Sequence, residues 1–156
     1  MALNMFLIRM PRCKNAKEEV VGSWTNANHI HKWFAKHVGR HDMDAFGKIK
    51  ITRQKLERLR DVCRVVLDSC ELTNGKAIGG YMMELNERVP IMIEGLYVKD
   101  SKIAQKYLPT ASGFAIGSTH YNDEYVAEVR RTMEIVNDVL KTTNFRAQQL
   151  FYIATI

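Results

Sequence analysis

The sequence predicts an α+β fold: a small mixed or antiparallel sheet with about three helices packed mainly on one face. Three observations predict it. Both ends of the chain are strand-like, apolar and rich in branched or aromatic residues. Between them lie stretches whose apolar residues recur every three or four positions, the period of a half-buried helix. Across all 156 residues there is no internal repeat, low-complexity tract or linker, so the elements belong to one domain, 1–156.

Taken in order, Leu3 to Arg9 (LNMFLIR), bounded by Pro11, predicts a first strand, and Val20 to Trp24 (VVGSW) a short second one. Thr25-Asn26 offers an N-cap for a helix over Ala27–Val38. Ile30, Trp33, Phe34 and His37 would be its buried stripe and Gly39 its stop. Lys48 to Ile51 alternates as a strand does, and Thr52 caps a helix from Arg53 to about Leu72, ended by Asn74-Gly75. The inner face of that helix is Leu56, Leu59, Cys63, Val66 and Cys70; Arg53, Lys55, Arg58, Arg60 and Arg64 lie outside. From Lys76 to Tyr107, glycines, Pro90 and three methionines break any period, which predicts short pieces and a mobile loop near Gly95–Asp100. Gly113 to Ile116 reads as a strand, and Asn122 or Asp123 caps a long helix to about Leu140. Val126, Val129, Met133, Val136 and Leu140 would line it, and Leu150 to Ile156 closes the chain as a strand. The two terminal strands either pair with each other or lie centrally.

Composition is ordinary for a globular chain, 46% hydrophobic and 26% charged, which argues against disorder. No apolar run approaches the roughly 20 residues of a membrane helix. Met1 to Met10 has neither a basic leader nor a small-residue cleavage site, so the protein is expected in the cytoplasm. Cys13, Cys63 and Cys70 are odd in number and form no CxxC pair, which suits reduced thiols in a reducing compartment. The formal charge of +6 favours anionic partners: DNA, RNA, a free nucleotide or an acidic protein.

Two segments exceed generic patterning: Trp24-Thr25-Asn26-Ala27-Asn28-His29-Ile30-His31-Lys32-Trp33-Phe34, and Leu108-Pro109-Thr110-Ala111-Ser112-Gly113-Phe114-Ala115-Ile116-Gly117-Ser118-Thr119-His120-Tyr121-Asn122. Together they resemble a family of small phage and prophage proteins with the patterns W-R-K-A-N-x-I-H-x-W-F and L-P-T-x-S-G-F-F-F-G-S-T-x-Y-D. The resemblance covers most of the chain except about 76–107, which is longer here. The family has no settled activity. The resemblance implies a phage setting in the host-cell cytoplasm, where small proteins often counter host defence. This chain departs from the pattern at Thr25-Asn26, where the family has a basic pair, at Phe114-Ala115-Ile116 and at Asn122. If the basic pair contacts a phosphate in relatives, the departure at Thr25-Asn26 puts that contact in doubt here.

Gly117-Ser118-Thr119 runs into a helix start, where free amides, two hydroxyls and the positive end of a helix dipole suit an anion. The same hydroxyls can instead merely shape the turn. There is no G-x-x-x-x-G-K-S/T, so no P-loop. The expected ligand set is Asn28, His31, Lys32, Ser112, Gly117, Ser118, Thr119 and Tyr121, with an aromatic (Trp24, Trp33, Phe114, Tyr121 or Tyr125) to stack on a base. A histidine such as His31 is more often a core residue bonded to a carbonyl. A metal site from His29, His31, His37, His41, Asp42 and Asp44 is disfavoured because positions two apart on a helix diverge. No cofactor is implied.

The leading expectation is an accessory protein that binds and sequesters an anionic nucleotide-type ligand, a sponge for a host defence signal. The alternative is a protein-binding inhibitor of a host enzyme acting through Arg53, Arg58, Arg60 and Arg64. A catalytic reading, with His31 or His120 as base beside Asp123 or Glu124, rests on residue types alone. Nucleic acid has only charge in its favour, since no helix-turn-helix or finger is present. The strand-like ends and methionine-rich middle suit a homodimer.

Overall fold

The first and last strands of the chain pair with each other at the centre of one sheet. The computed structural model describes residues 2–13, 15, 17–38, 46–112 and 118–156. Strand β1 (Asn4–Pro11) runs antiparallel to β6 (Gln148–Thr155), with Met5 opposite Ala154 and Leu7 opposite Tyr152. Strand β2 (Glu19–Thr25) flanks β1 and β3 (Phe46–Ile51) flanks β6, giving the order β2-β1-β6-β3, antiparallel throughout. On β6, Leu150, Tyr152 and Ala154 are buried while Phe151 and Ile153 are half-buried. This period-two pattern turns one sheet face onto the helices.

Helix α1 (Asn28–His37) is buried far beyond one stripe: Asn28, His29, Ile30, His31, Trp33, Phe34 and Ala35 are all inside. Phe34 stacks on Tyr152 with ring centroids 4.0 Å apart, and Trp24 meets Phe34 edge-on at 6.1 Å. The Trp24 indole N–H donates to Thr132 Oγ1 at 2.9 Å, so the large ring is buried with its polar atom satisfied. Helix α2 (Arg53–Ser69) starts at Thr52, whose hydroxyl accepts from Lys55 N, and buries Leu56, Leu59, Cys63 and Val66 as its spacing predicts. Helix α4 (Asp123–Thr142) starts at Asn122, whose Oδ1 accepts from Tyr125 N at 3.0 Å. Its inner stripe is Tyr125, Val126, Val129, Thr132, Val136 and Val139; Met133 and Leu140 sit at its margin.

Three expectations need correction. Neither Thr25 nor Asn26 caps α1: the cap residue is Ala27, without a side-chain bond. Asn26 takes the left-handed conformation (φ 57°), which asparagine tolerates. Its side-chain oxygen accepts from Leu3 N at 2.9 Å while its own amide donates to Leu3 O at 2.8 Å, tying the α1 entry to the chain start. Helix α2 ends at Ser69, and Asn74-Gly75 lies inside a strand. The stretch read as short pieces with a mobile loop is a long hairpin of β4 (Leu72–Glu84) and β5 (Glu87–Val98), followed by a short helix α3 (Lys102–Tyr107). The predicted strand Gly113–Ile116 and the stop at Gly39 lie outside the described residues. None of the described helices is long and apolar enough to cross a membrane.

Candidate ligand-binding cleft

The two sequence segments meet, and one side chain joins them. Asn28, in the first turn of α1, donates from Nδ2 to Ser118 O at 3.0 Å and accepts at Oδ1 from Ala111 N at 3.0 Å. A buried primary amide has donors and an acceptor in one plane, so it can clamp both sides of a returning loop. The loop is held elsewhere too. Thr110 N donates to the Tyr121 hydroxyl at 3.1 Å, Thr110 Oγ1 donates to Thr119 O at 3.0 Å, and Val98 N donates to Tyr121 O at 2.8 Å. Ser118 Oγ accepts from His120 N at 3.0 Å, a local turn bond.

Between the segments opens a cleft of about 450 Å³. Thr25, Asn26, Ala27 and His29 form one wall, Ser118, His120 and Asn122 a second, and Glu124, Tyr125, Ala127 and Glu128 of α4 a third. His29 is 5% exposed, and its Nε2 has no hydrogen-bond partner. Its ring rests against Tyr125 at 4.6 Å between centroids. Burial pushes the imidazole down to about 4, so it is neutral at pH 7. Glu128 Oε2 is also buried without a hydrogen bond; the Arg131 guanidinium stands 3.9 Å off, beyond hydrogen-bond reach. Burial raises the Glu128 carboxyl above its ordinary value, and Arg131 opposes that shift. A buried polar atom without a partner, such as His29 Nε2, is an uncommon cost of about 1–3 kcal/mol when nothing satisfies it.

A second depression of about 510 Å³ adjoins the first through Ser118 and His120. Thr119 and the hairpin residues Ile78, Gly79, Gly80 and Tyr81 complete it. His120 Nε2 lies 3.0 Å from Ile78 O, linking the loop to the hairpin. Among the described residues, the first cleft is lined by two carboxylates and by no lysine or arginine, and the second by no carboxylate.

The expected ligand residues therefore divide. Ser118 lines both clefts and Thr119 the second, and both are exposed. Asn28 holds the loop, and the Tyr121 hydroxyl is bonded within it. Ser112 is exposed but lines neither cleft, and Gly117 lies outside the described residues. His31 is fully buried, its Nδ1 2.7 Å from the Tyr152 hydroxyl, and Lys32 is half-buried; neither lines either cleft. From the first segment Thr25, Asn26, Ala27 and His29 line the cleft, so His29 is the histidine that this segment brings to it. Two histidines on one helix do not say which flank meets a cleft; here His29 lines it and the expected His31 is buried. His31 and His120 have the named nitrogens engaged by Tyr152 and by the Ile78 carbonyl, which does not assemble a base with Asp123 or Glu124. Among the described residues no three His, Cys, Asp or Glu side chains gather as a metal set; His41, Asp42 and Asp44 lie outside them. Comparison with known protein families, with curated proteins and with solved structures finds no match.

Proposed function

We propose that this is a binding protein that sequesters a nucleotide-type small molecule across the two adjoining clefts, in a phage setting as a sponge for a host signal. The observation that carries it is the buried His29 Nε2 without a hydrogen-bond partner, in a cleft also lined by Glu128, whose Oε2 makes no hydrogen bond and lies 3.9 Å from Arg131. A neutral imidazole and a carboxylate suit the amino groups of a base or the hydroxyls of a ribose, each of which brings donors to an acceptor-rich wall. The phosphate belongs on the other side, against Ser118, Thr119, His120 and the Gly79-Gly80 backbone, where no carboxylate lines the depression among the described residues. This division replaces the simpler expectation of one anion site fed by His31 and Lys32. Capture without turnover needs no nucleophile.

The experiment is a thermal-shift titration with mononucleotides, cyclic nucleotides and cyclic dinucleotides, run on the parent and on Glu128→Gln and His29→Phe. A ligand at a hundred times its dissociation constant stabilises by about 2.7 kcal/mol. The reading predicts such a shift for one class, lost in both variants. Equal shifts in the parent and both variants would overturn the site.

The alternative, an inhibitor acting through the α2 surface, has weaker support in the charge pattern. Arg53 pairs with Glu57 at 3.8 Å, Arg60 with Asp61 at 3.2 Å and Arg64 with Asp61 at 3.8 Å, so the face is mixed rather than basic.

A further inference from the structure

The wall that α4 gives to the first cleft carries its charge. Glu124, Ala127 and Glu128 fall at helical spacings of three and four, so they share one stripe of α4 and all line the cleft. Glu124 is exposed, whereas Glu128 is half-buried, its side chain 34% exposed and its Oε2 inside without a hydrogen bond. Arg131, 3.9 Å from that oxygen, lines neither cleft. From α1 comes His29, 5% exposed, whose Nε2 has no partner. A neutral imidazole carries one N–H, and with the proton on Nε2 that atom is a donor.

A carboxylate only accepts, and it holds a planar partner best where two N–H bonds lie side by side. Guanine is the base whose edge offers that pair, at N1 and at the exocyclic N2, with the O6 acceptor next to N1. Adenine sets the bare N1 beside its amino group, and cytosine sets the bare N3 beside its own. Uracil flanks a single N–H with two carbonyls. Each of these three turns a lone pair towards the carboxylate, which selects against it. O6 of guanine then needs a donor, and His29 Nε2–H is a buried donor that the cleft supplies.

We propose that the first cleft is a guanine site, in which Glu128 accepts N1–H and N2–H and His29 Nε2–H donates to O6. The phosphate then lies in the adjoining depression, past Ser118 and His120, which line both. This rests on the reading of the two clefts as one nucleotide site and narrows it to guanine nucleotides. A guanidinium presents the same pair of N–H groups, but it has no acceptor for His29 and no anion for the second depression.

Isothermal titration of the purified chain with GMP, IMP, AMP and agmatine tests it. IMP is GMP without the N2 amino group, so it isolates one of the two bonds to Glu128. The parent binds GMP at least about tenfold tighter than IMP or AMP, in keeping with what a bidentate contact contributes to base discrimination. Glu128→Gln replaces two acceptors by an acceptor beside a donor, the complement of adenine N1 and N6. The ratio of GMP to AMP affinity therefore falls at least about tenfold in that variant. A purely structural role for Glu128 would weaken all nucleotides alike and leave the ratio unchanged, which overturns the proposal. Glutamine matches glutamate in size and keeps the backbone carbonyl that accepts from Thr132 Oγ1, so the variant folds; its unliganded melt checks this. Parent affinities for GMP and AMP within about twofold overturn guanine selection and leave nucleotide capture standing. Agmatine binding tighter than GMP assigns the α4 wall to a cationic ligand and overturns it as well. No binding of GMP, IMP or AMP also overturns the guanine assignment, and capture as such is then decided by the cyclic nucleotides and cyclic dinucleotides of the thermal-shift panel.

Discussion

The side-chain amide of Asn28 bonds Ser118 O and Ala111 N at 3.0 Å each, so one residue at the start of α1 clamps both sides of the loop that forms the far wall of the cleft. Replacing it with alanine removes a donor and an acceptor from a buried position and leaves two backbone groups short of a partner. The expected loss is about 2–3 kcal/mol. In a chain of this size that is a fall in melting temperature of several degrees. Asn28→Asp keeps the bond from Ala111 N but sets a carboxylate against the Ser118 carbonyl, and should cost at least as much. Thermal melts of both variants check the order.

The pH dependence of stability follows from His29. Its folded value lies near 4, below the ordinary 6.5. Between those values the unfolded chain binds the proton and the folded chain does not, so stability falls as the solution is acidified. The contribution is fully present above about pH 6.5 and is lost progressively towards pH 4, roughly 3 kcal/mol in all. His29→Phe should flatten that limb of a denaturation profile measured between pH 4 and pH 7. An unchanged limb assigns the acid sensitivity to other groups.

Tyr152 is the partner of a histidine that resembles a site residue but belongs to the core. Tyr152→Phe keeps the stack on Phe34 and deletes the hydroxyl that meets His31 Nδ1. The cost should be about 1–3 kcal/mol in chemical denaturation, with ligand binding unaffected. A fall in ligand affinity larger than the fall in stability would return His31 to the site.

How much was legible from sequence depends on whether the cause is local. The Thr52 and Asn122 caps were readable because a side chain three residues ahead of a free amide satisfies it without help. The buried stripe Leu56, Leu59, Cys63, Val66 follows from helical period alone. Asn26 failed as a cap because its bonds go to Leu3, 23 residues earlier, which no local pattern carries. The hairpin was missed because period two is a signal of one buried face, and this ribbon exposes apolar residues on both. His29 was passed over for His31 because both sit on one short helix that is buried nearly all round, so amphipathicity could not choose between them.

Charge on the surface of α2 separates the two functional readings. Reversing Arg53, Arg58, Arg60 and Arg64 breaks pairs worth about 0.2–0.5 kcal/mol each, a small stability effect at moderate salt. Ligand-dependent thermal shifts should survive it. Capture of a host protein, if that is the function, should not.

The most direct test of ligand capture is native mass spectrometry of the protein as isolated from cells that make nucleotide signals, compared with the His29→Phe variant. The account predicts a discrete added mass equal to an intact nucleotide, released on denaturation and absent from the variant. The bare chain mass in both, or the same added mass in both, would contradict a site built around His29 and Glu128.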